Sequence, residues 1–538
     1  MKRIVLIVAA LILPVLFLPP MAAAEEDGLA SIGTSLHGYY RIRYHNTFDP
    51  GWISEDDDSD WWSYIDQRML LQPSLIIADP IRIHMELDVL NNVLFGDNEL
   101  AQLPVVHTER KPNAPEEIDR AYLELVDFNT GNIFSQSTSN TNRDRDEVQP
   151  IEIRQLYAEV MLPIGFLRLG RQASHFGMGL FSNSGTPFLR TTGPGDINDI
   201  NGGYDADGGD VYDRFLFGTR IAGMYYPVLI YDRIAEQDFR SGNEDVHSFT
   251  FANYLRGITF GDSGTFDAGA FILYRTQDST DAEVWIYDAY FKLAYGGFSL
   301  ETEALALQGS MTQIDKDTIE DLEESGLPTG EGGGEITADA YLGAVRLDYD
   351  SNRWGTGFEY GFSSPADPNP DNEFSSSGAT EVALAKAEAD ADEDNAGTQI
   401  DFIDAVVDNQ AAFGRRVNTF YFDPNYNVDL VCWEILMESK MQNGMYFKLG
   451  GYIRPLDGMH VQLDVINSYI NESWQAEDGS AASHDLGWEG DLRFAYTFYK
   501  HFTTGFEFGY FWPGQYFYDV YDNVENVYTL QLNSIVNF

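Results

Sequence analysis

Apolar and polar residues alternate with a period of two along most of this 538-residue chain, and this pattern constrains the fold more than any other feature. In residues 81–89, five apolar side chains interleave with Arg82, His84, Glu86 and Asp88. Because successive side chains of a β-strand point to opposite faces of the sheet, such a segment has one apolar and one polar face. Similar segments recur as far as the C-terminus, and they predict an all-β protein.

The predicted strands are about ten to fourteen residues long, which exceeds most strands of soluble proteins and matches a tilted membrane crossing. Short turns, such as 78–80, 163–165 and 499–500, alternate along the chain with long polar connections. The largest connections fall at about 91–150, 174–212, 309–336 and 364–442. Short periplasmic turns and long extracellular loops are typical of outer-membrane β-barrels, whereas a soluble β-sandwich, the alternative, does not require this asymmetry.

Counting the turns gives the number of strands. Eight short turns define eight hairpins, and one more strand at each end brings the prediction to a transmembrane antiparallel β-barrel of about 18 strands over residues 25–538. An even number returns both termini to the periplasmic side, as is usual in single-chain barrels. Residues 118–127 also alternate, but no short turn follows them, so we assign them to a protruding loop.

Both ends of the chain carry features of an exported protein. A basic start, an apolar run over 4–18 and three alanines at 22–24 predict a secretory signal peptide at residues 1–24. The last strand ends on Phe538, and a terminal aromatic residue is typical of the signal that the barrel-assembly machinery of bacterial outer membranes reads. We therefore expect the protein in a Gram-negative-type outer membrane, in contact with lipid and lipopolysaccharide.

The charge of the chain excludes some partners and is unevenly distributed. With 85 Asp and Glu against 33 Lys and Arg, the net charge is -52, so nucleic acid is not an expected partner. Segments 55–60, 309–336 and 364–410, in predicted loops, hold 25 acidic residues and only two lysines. Such runs are typical of solvated loops, and as an alternative they predict binding of divalent cations such as Ca²⁺.

No cofactor, metal or catalytic motif is evident in the sequence. Asp205, Asp207 and Asp210 are the nearest candidates for a Ca²⁺ site, but their segment lacks the glycine and the final glutamate of an EF-hand loop. The single cysteine excludes internal disulfides and CxxC-type zinc sites. Because HExxH and GxSxG motifs are absent and the histidines are scattered, we do not predict an enzyme.

The polar faces of the strands are expected to line an aqueous channel, since eighteen strands enclose more space than side chains fill. Acidic residues such as Glu159 are about as frequent on these faces as basic ones, so the wall is mixed. Cross-strand ion pairs that brace the wall are one interpretation. In the other interpretation, four arginines of the first three strands form a basic stripe that binds an anionic solute as it passes through the channel. The predicted basic lining residues are Arg41, Arg43, Arg68, Arg82, Arg168, Arg346, Lys448 and Arg454, the first four forming the stripe.

Two segments resemble a known family. Residues 154–172 include the sequences LPIG at 162–165 and LGRQ at 169–172, and residues 422–430 read FDPNYNVDL. Both are similar to the alginate-export-like group of outer-membrane barrels. The resemblance implies eighteen strands, passive export of an anionic polysaccharide, and lumen or strand-core positions for Arg168, Arg171 and Gln172. Arg171 shares the parity of the apolar Leu167 and Leu169, so a bulge would have to turn it inward.

Two functions follow as expectations. The first is a passive outer-membrane channel, for export of a polysaccharide or for diffusion of small hydrophilic solutes. The second is a surface-binding or structural barrel that is plugged by its loops and uses their acidic residues to bind divalent cations or envelope partners.

Overall fold

A computed structural model describes residues 33–49, 60–78, 80–95, 151–185, 209–235, 246–278, 281–312, 335–365, 415–417, 420–437, 441–473, 481–521 and 524–538. The predicted signal peptide, the segment 118–127 and most of the predicted acidic loops lie outside these ranges.

Eighteen antiparallel strands form a closed barrel, which confirms the predicted fold class and strand number. The strands are β1 Gly33–Asp49, β2 Asp60–Ala78, β3 Ile81–Leu94, β4 Ile151–Leu162, β5 Gly165–Ala173, β6 Val211–Gly218, β7 Tyr225–Ala235, β8 Val246–Phe260, β9 Gly264–Gln277, β10 Ala282–Tyr295, β11 Phe298–Thr312, β12 Glu335–Asp350, β13 Trp354–Ser363, β14 Arg415–Val417, β15 Gly444–Ile453, β16 Met459–Ile470, β17 Asp485–Phe498, β18 Phe502–Pro513 and β19 Val527–Asn537. Each wall strand pairs with the next along the chain, and β1 also pairs with β19 to close the wall. The short strand β14 pairs parallel with β12 and is not a wall strand, because β13 and β15 pair directly.

The two faces of the wall differ in chemistry as the alternation predicts. Large apolar side chains of one parity point away from the lumen and are exposed, such as Ile153, Leu463 and Trp488. Charged side chains of the other parity point inward and are buried, such as Asp66 and Glu489. An exposed apolar surface around a whole closed wall is unusual for a soluble protein and typical of a barrel that faces lipid.

The two ends of the barrel differ in their connections. At one end, which we call the turn end, strands are joined by short turns such as Tyr499-Lys500, where both residues have positive φ as in a type I′ turn. At the other, the loop end, the connections include residues 50–59, 95–150 and 313–334. A short helix, α1 (Gln515–Val520), lies in the loop-end connection between β18 and β19. Within the described ranges, no helix has the length and apolar character needed to cross a membrane.

Parts of two loop-end connections fold into the barrel. The first inserted segment, residues 174–185, follows β5, and Phe176 packs against Phe271 of β9 and Tyr290 of β10. The second inserted segment, residues 420–437, precedes β15 and includes a π-helical turn at Cys432–Leu436. The two segments meet where the backbone N–H of Asp423 donates to the carbonyl of Leu180 at 2.8 Å.

The inserted segments and the wall share one apolar core inside the barrel. Segment residues such as Leu180, Phe422 and Trp433 pack with inward residues of the wall strands such as Ile286 and Leu342. Burial of apolar side chains is the main source of stability for this packing. The lumen is therefore filled at these positions by folded chain rather than by water.

Candidate functional site

The described part of the lumen contains a cavity of about 290 Å³ beside strands β5 to β9. The first inserted segment covers it through Ser174, His175, Phe176, Phe181 and Ser182. Wall residues make up the rest of its lining, and four of them are arginines. These are Arg168, Arg214, Arg256 and Arg275.

Two of these arginines donate hydrogen bonds to carboxylates. Arg214 donates from Nε and Nη2 to both carboxylate oxygens of Asp232, at 2.6 and 2.8 Å. Arg168 donates from Nε to Glu159 at 2.8 Å. Asp232 is the one carboxylate among the residues described as lining the cavity, so its surface carries more positive than negative charge.

Aromatic rings hold the arginines of the cavity in place. The guanidinium of Arg256 lies 4.8 Å from the centroid of the Tyr254 ring, and that of Arg214 lies 5.1 Å from Tyr212. Stacking on a ring orients a guanidinium while its edge stays able to donate hydrogen bonds. The cavity can therefore present planar donors beside aromatic surface, an arrangement that suits small solutes with a carboxylate or phosphate group.

Three of these arginines were missed in the sequence-based prediction. Arg214, Arg256 and Arg275 lie in strands where both faces carry apolar residues, so the alternation does not mark the inward face. In β9, Phe271 and Leu273 point inward because the first inserted segment packs on them. A charged residue near the end of such an apolar strand was the only signal in the sequence.

The four predicted stripe arginines do not share one environment. Arg41, Arg43 and Arg68 point inward but are almost completely buried. Arg43 donates from Nε to both oxygens of Asp66, each at 3.1 Å. Arg68 donates from Nε and Nη2 to Asp88 at 2.9 and 2.8 Å. These contacts favour the interpretation of ion pairs that brace the wall over that of a solute track.

Arg82 of β3 and Arg168 of β5, the predicted basic lining residues on the two strands that pair with β4, lie towards the turn end. Arg82 is exposed, and its Cα partner on β4 is Glu159, which receives the hydrogen bond from Arg168. Gln172 is buried and lines the cavity, where its amide donates to the carbonyls of Gly170 and Arg214. The structure thus brings together Arg168, Gln172 and Glu159 at or beside one cavity.

Arg171 does not point into the lumen. It lies on the outward face with Leu169, and its Nε and Nη2 donate to Asp213 at 3.0 and 2.9 Å. The bulge required for a pore-lining position is absent from β5, where pairing with β4 and β6 is regular. This placement differs from the pore-lining one that the sequence resemblance implied.

Two predicted lining residues bind the second inserted segment. Arg346 donates to Glu359 at 2.7 Å and to the hydroxyl of Tyr426 at 3.1 Å. Lys448 donates from Nζ to the backbone carbonyl of Val428 at 2.6 Å. Both side chains are buried, so they hold the segment rather than line open space. Arg454 lies just beyond β15, at the turn end, and donates to the carbonyl of Asn352 at 3.1 Å.

Two wall glutamates anchor the inserted segments through backbone N–H groups. Glu489 of β17 accepts hydrogen bonds from the N–H groups of Leu430, Val431 and Cys432, each at 2.8 Å. Glu303 of β11 accepts them in the same way from three successive residues of the first inserted segment, Met178, Gly179 and Leu180. In each case three buried N–H groups have one glutamate side chain as their partner, so each glutamate fixes its segment to the wall.

Of the three predicted Ca²⁺ candidates, only Asp210 lies in the described residues. Its carboxylate is buried and accepts a hydrogen bond from the N–H of Asn183 at 3.1 Å. Asp205 and Asp207 lie outside the described residues. Within the described ranges, no group of three or more His, Cys, Asp or Glu side chains is arranged to hold a metal ion.

Two carboxyl groups of the second inserted segment have unusual acidity. Burial raises the pKa of Asp423, which lies beside Asp210 and Asn425, to about 6. Burial and the neighbouring carboxylate of Asp491 raise the pKa of Asp429 to about 8, against an opposing effect of Lys448. Both groups therefore bind a proton more tightly in the packed segment than they would in a solvated loop.

We expect the packing of the second inserted segment to weaken as the pH rises. A carboxyl group whose pKa is raised on packing stabilises the packed state at low pH, and this contribution is lost as the pH rises through about 6 for Asp423 and about 8 for Asp429. Amide hydrogen exchange of residues 420–437, corrected for the intrinsic rate, should therefore be faster at pH 8.5 than at pH 5. The combined Asp423→Asn and Asp429→Asn variant should show a smaller pH dependence than the unmodified protein. Equal protection at both values in the unmodified protein would contradict this expectation.

Comparison with known proteins finds structural likeness only. No family model matches the chain, and no curated protein matches it. Among solved structures, it is similar to OccK8 (OprE) of Pseudomonas aeruginosa, with 10% identity, a TM-score of 0.46, and 95% of this chain and 99% of that chain covered. It is also similar to OccK9 (OpdG) of the same organism, with 9% identity, a TM-score of 0.47 and coverage of 95% and 100%. The outer membrane protein OpdK of that organism matches with 8% identity, a TM-score of 0.45 and coverage of 94% and 99%.

Proposed function

We propose that the protein is a passive channel of the outer membrane that admits small hydrophilic solutes bearing a negative charge. The observation that carries this proposal is the closed eighteen-stranded wall with an apolar outward face and a polar, arginine-containing lumen. A wall of this kind satisfies every backbone hydrogen bond within lipid, and its circumference leaves room for a solute path.

The size of the solute follows from the inserted segments. They pack against the wall inside the lumen, and the described cavity beside them has a volume of about 290 Å³. This volume suits a molecule of metabolite size. The packing supports small solutes over the polysaccharide that the alginate-export-like resemblance implies.

The proposal leaves two predicted partners to be tested. Ca²⁺ binding by the acidic loops concerns segments that lie mainly outside the described residues. In the folded barrel, Phe538 and Gly38 of β1 exchange two backbone hydrogen bonds of 3.0 Å. The barrel-assembly machinery would therefore bind Phe538 before the last strand pairs with the first.

Planar-bilayer recording tests the channel directly. Purified, folded protein should conduct ions in steps, and protein that inserts without any conductance would overturn the proposal.

We expect the arginines of the cavity to set ion selectivity. In a salt gradient, the combined Arg168→Gln and Arg256→Gln variant should shift the reversal potential towards cation selectivity, because it removes two positive charges from the cavity lining. Arg353→Gln is the matched control, since this arginine is exposed in the β12–β13 turn and is not among the cavity lining residues. An unchanged reversal potential in the double variant would show that solutes do not pass this cavity.

A further inference from the structure

A second carboxyl group lies beside Glu303, the residue that anchors the first inserted segment. Asp288 of β10 points inward and is only 3% exposed. Within the described residues, the groups that reach its two carboxylate oxygens are the carboxyl group of Glu303 and the N–H group of Ala289, and neither acid forms an ion pair with an arginine, lysine or histidine. A buried carboxylate without a cation is costly, so this pair cannot carry two negative charges.

The contact between Asp288 and Glu303 requires a proton. Two buried carboxyl groups in hydrogen-bond contact do not both ionise, because like charges at this distance repel each other. Glu303 accepts hydrogen bonds from the N–H groups of Met178, Gly179 and Leu180, and such bonds favour the ionised form of a carboxyl group. The proton therefore belongs to Asp288, which donates it to Glu303.

The backbone of the first inserted segment is shaped to bind the single negative charge of Glu303. Gly177 and Gly179 have φ values of +57° and +85°, in the left-handed region that favours glycine. Successive N–H groups in such a conformation converge and form a concave anion-binding site. A Cβ atom at position 177 would clash with the carboxylate of Glu303, which shows how closely the backbone approaches it.

The other ionisable groups near the pair do not supply a positive charge. Arg346 of the adjacent strand β12 is directed to Glu359 at 2.7 Å and to Glu301 at 3.7 Å instead. Phenol groups from β8, β10 and the second inserted segment face the two acids, and phenols are neutral at pH values at which carboxyl groups normally ionise. They are Tyr254, Tyr290 and Tyr426.

We propose that the proton shared by Asp288 and Glu303 is a switch that holds the first inserted segment in the lumen, and that its loss at alkaline pH releases the segment and widens the path through the barrel. Without the proton, two adjacent negative charges are buried, and release of the segment admits water to them. The widening rests on the proposed channel, whereas the release depends only on the contacts of the segment.

The sign of the pH dependence follows from proton binding. The packed state loses stability with rising pH wherever it binds more protons than the released state. A carboxyl group in water is ionised above about pH 5, whereas Asp288 in the packed state holds its proton at neutral pH. For one proton, the equilibrium between packed and released segment therefore shifts by up to about tenfold for each pH unit.

Two other groups titrate with the first inserted segment, but at lower pH. Burial lowers the pKa of His175, so this side chain is neutral in the packed segment, and its protonation in acid favours the released state. Asp423, whose N–H donates to the carbonyl of Leu180, has a pKa of about 6. Both groups are mainly unprotonated above pH 7.5 in either state, so a comparison of pH 7.5 with pH 9.5 leaves their contribution almost constant.

Amide hydrogen exchange of residues 176–181 in the full-length protein, in detergent micelles and corrected for the intrinsic rate, tests the switch. In the unmodified protein, exchange should be at least about tenfold faster at pH 9.5 than at pH 7.5. Asp288→Asn should show a smaller increase, because its amide donates to Glu303 and has no proton to lose in this range. Glu86→Gln is the matched control at another buried wall carboxyl, which accepts hydrogen bonds from Gln72 and Gln155, and it should keep the increase of the unmodified protein.

The unmodified protein alone can overturn the proposal, since equal protection at the two pH values would show that no such proton is held. An increase in Asp288→Asn as large as that of the unmodified protein would also overturn it and would assign the effect to another group, such as Asp429. Conductance of the same preparations in planar bilayers should rise with pH in the unmodified protein and rise less in Asp288→Asn. Faster exchange at an unchanged conductance would overturn the widening, whereas a protein that conducts at neither pH would contradict the proposed channel itself.

Discussion

Glu489→Ala is expected to raise the conductance of the barrel several-fold. This carboxylate accepts three backbone hydrogen bonds from residues 430–432 and is almost fully buried. A buried hydrogen bond contributes about 1 kcal/mol, and each backbone N–H that is left buried without a partner costs about 1–3 kcal/mol. The second inserted segment should then leave the wall of the lumen, and the path through the barrel should widen.

Glu86→Ala is the matched control for this expectation. Glu86 is also a buried wall glutamate, but it accepts hydrogen bonds from the side chains of Gln72 and Gln155 and contacts neither inserted segment in the described residues. Conductance in a planar bilayer and hydrogen exchange of residues 420–437 should change in Glu489→Ala and not in Glu86→Ala. If Glu489→Ala kept both the conductance and the protection of the unmodified protein, the segment would not depend on this anchor.

The wall of the barrel could be predicted because the direction of each side chain depends on its position relative to its neighbours in the sequence. In β3, Ile81 and Ile83 face away from the lumen while Glu86 and Asp88 face inward, as their order in the sequence indicates. Turns could be predicted for the same reason, since the spacing of the alternating segments leaves only two or three residues between many of them. Neither feature depends on contacts between residues distant in the chain.

The inserted segments could not be predicted, because their positions depend on contacts distant in sequence. Glu303 lies more than 120 residues along the chain from the residues of the first inserted segment whose backbone N–H groups donate hydrogen bonds to it. The loop-end connections are long and polar overall, and although residues 420–437 are richer in apolar side chains than the rest, their composition does not indicate which wall strands they pack against. This also explains the missed cavity, since its arginines are brought together by the pairing of β5 to β9 and are enclosed by the first inserted segment.

For the arginines of the basic stripe, the direction of the side chains could be predicted but their burial could not. The inward direction of Arg41, Arg43 and Arg68 follows from the alternation, and the structure places them inward. Their burial depends on partners in adjacent strands, and register between strands cannot be read from a single strand's pattern. Hydrogen bonds to Asp66 and Asp88 make Arg43 and Arg68 part of the wall's own hydrogen bonding.

Asp88→Ala should therefore destabilise the barrel strongly without changing its selectivity. Asp88 is fully buried, accepts two hydrogen bonds from Arg68, and lies 3.6 Å from Nε of Arg154. Removing one partner of a buried pair leaves an uncompensated charge, which costs about 3–5 kcal/mol. Urea unfolding in detergent micelles measures this loss as a lower midpoint with an unchanged slope.

Asp213→Ala provides the comparison, because it breaks an exposed pair of the same two residue types. Exposed ion pairs contribute about 1 kcal/mol or less, so its unfolding midpoint should stay close to that of the unmodified protein. If the two variants had equal stability and Asp88→Ala shifted the reversal potential, Arg68 would face a solute path. If Asp88→Ala instead lost much stability and kept its reversal potential, the stripe would belong to the wall. The cavity lined by Arg168 and Arg256 would then be the place where charge selects the solute.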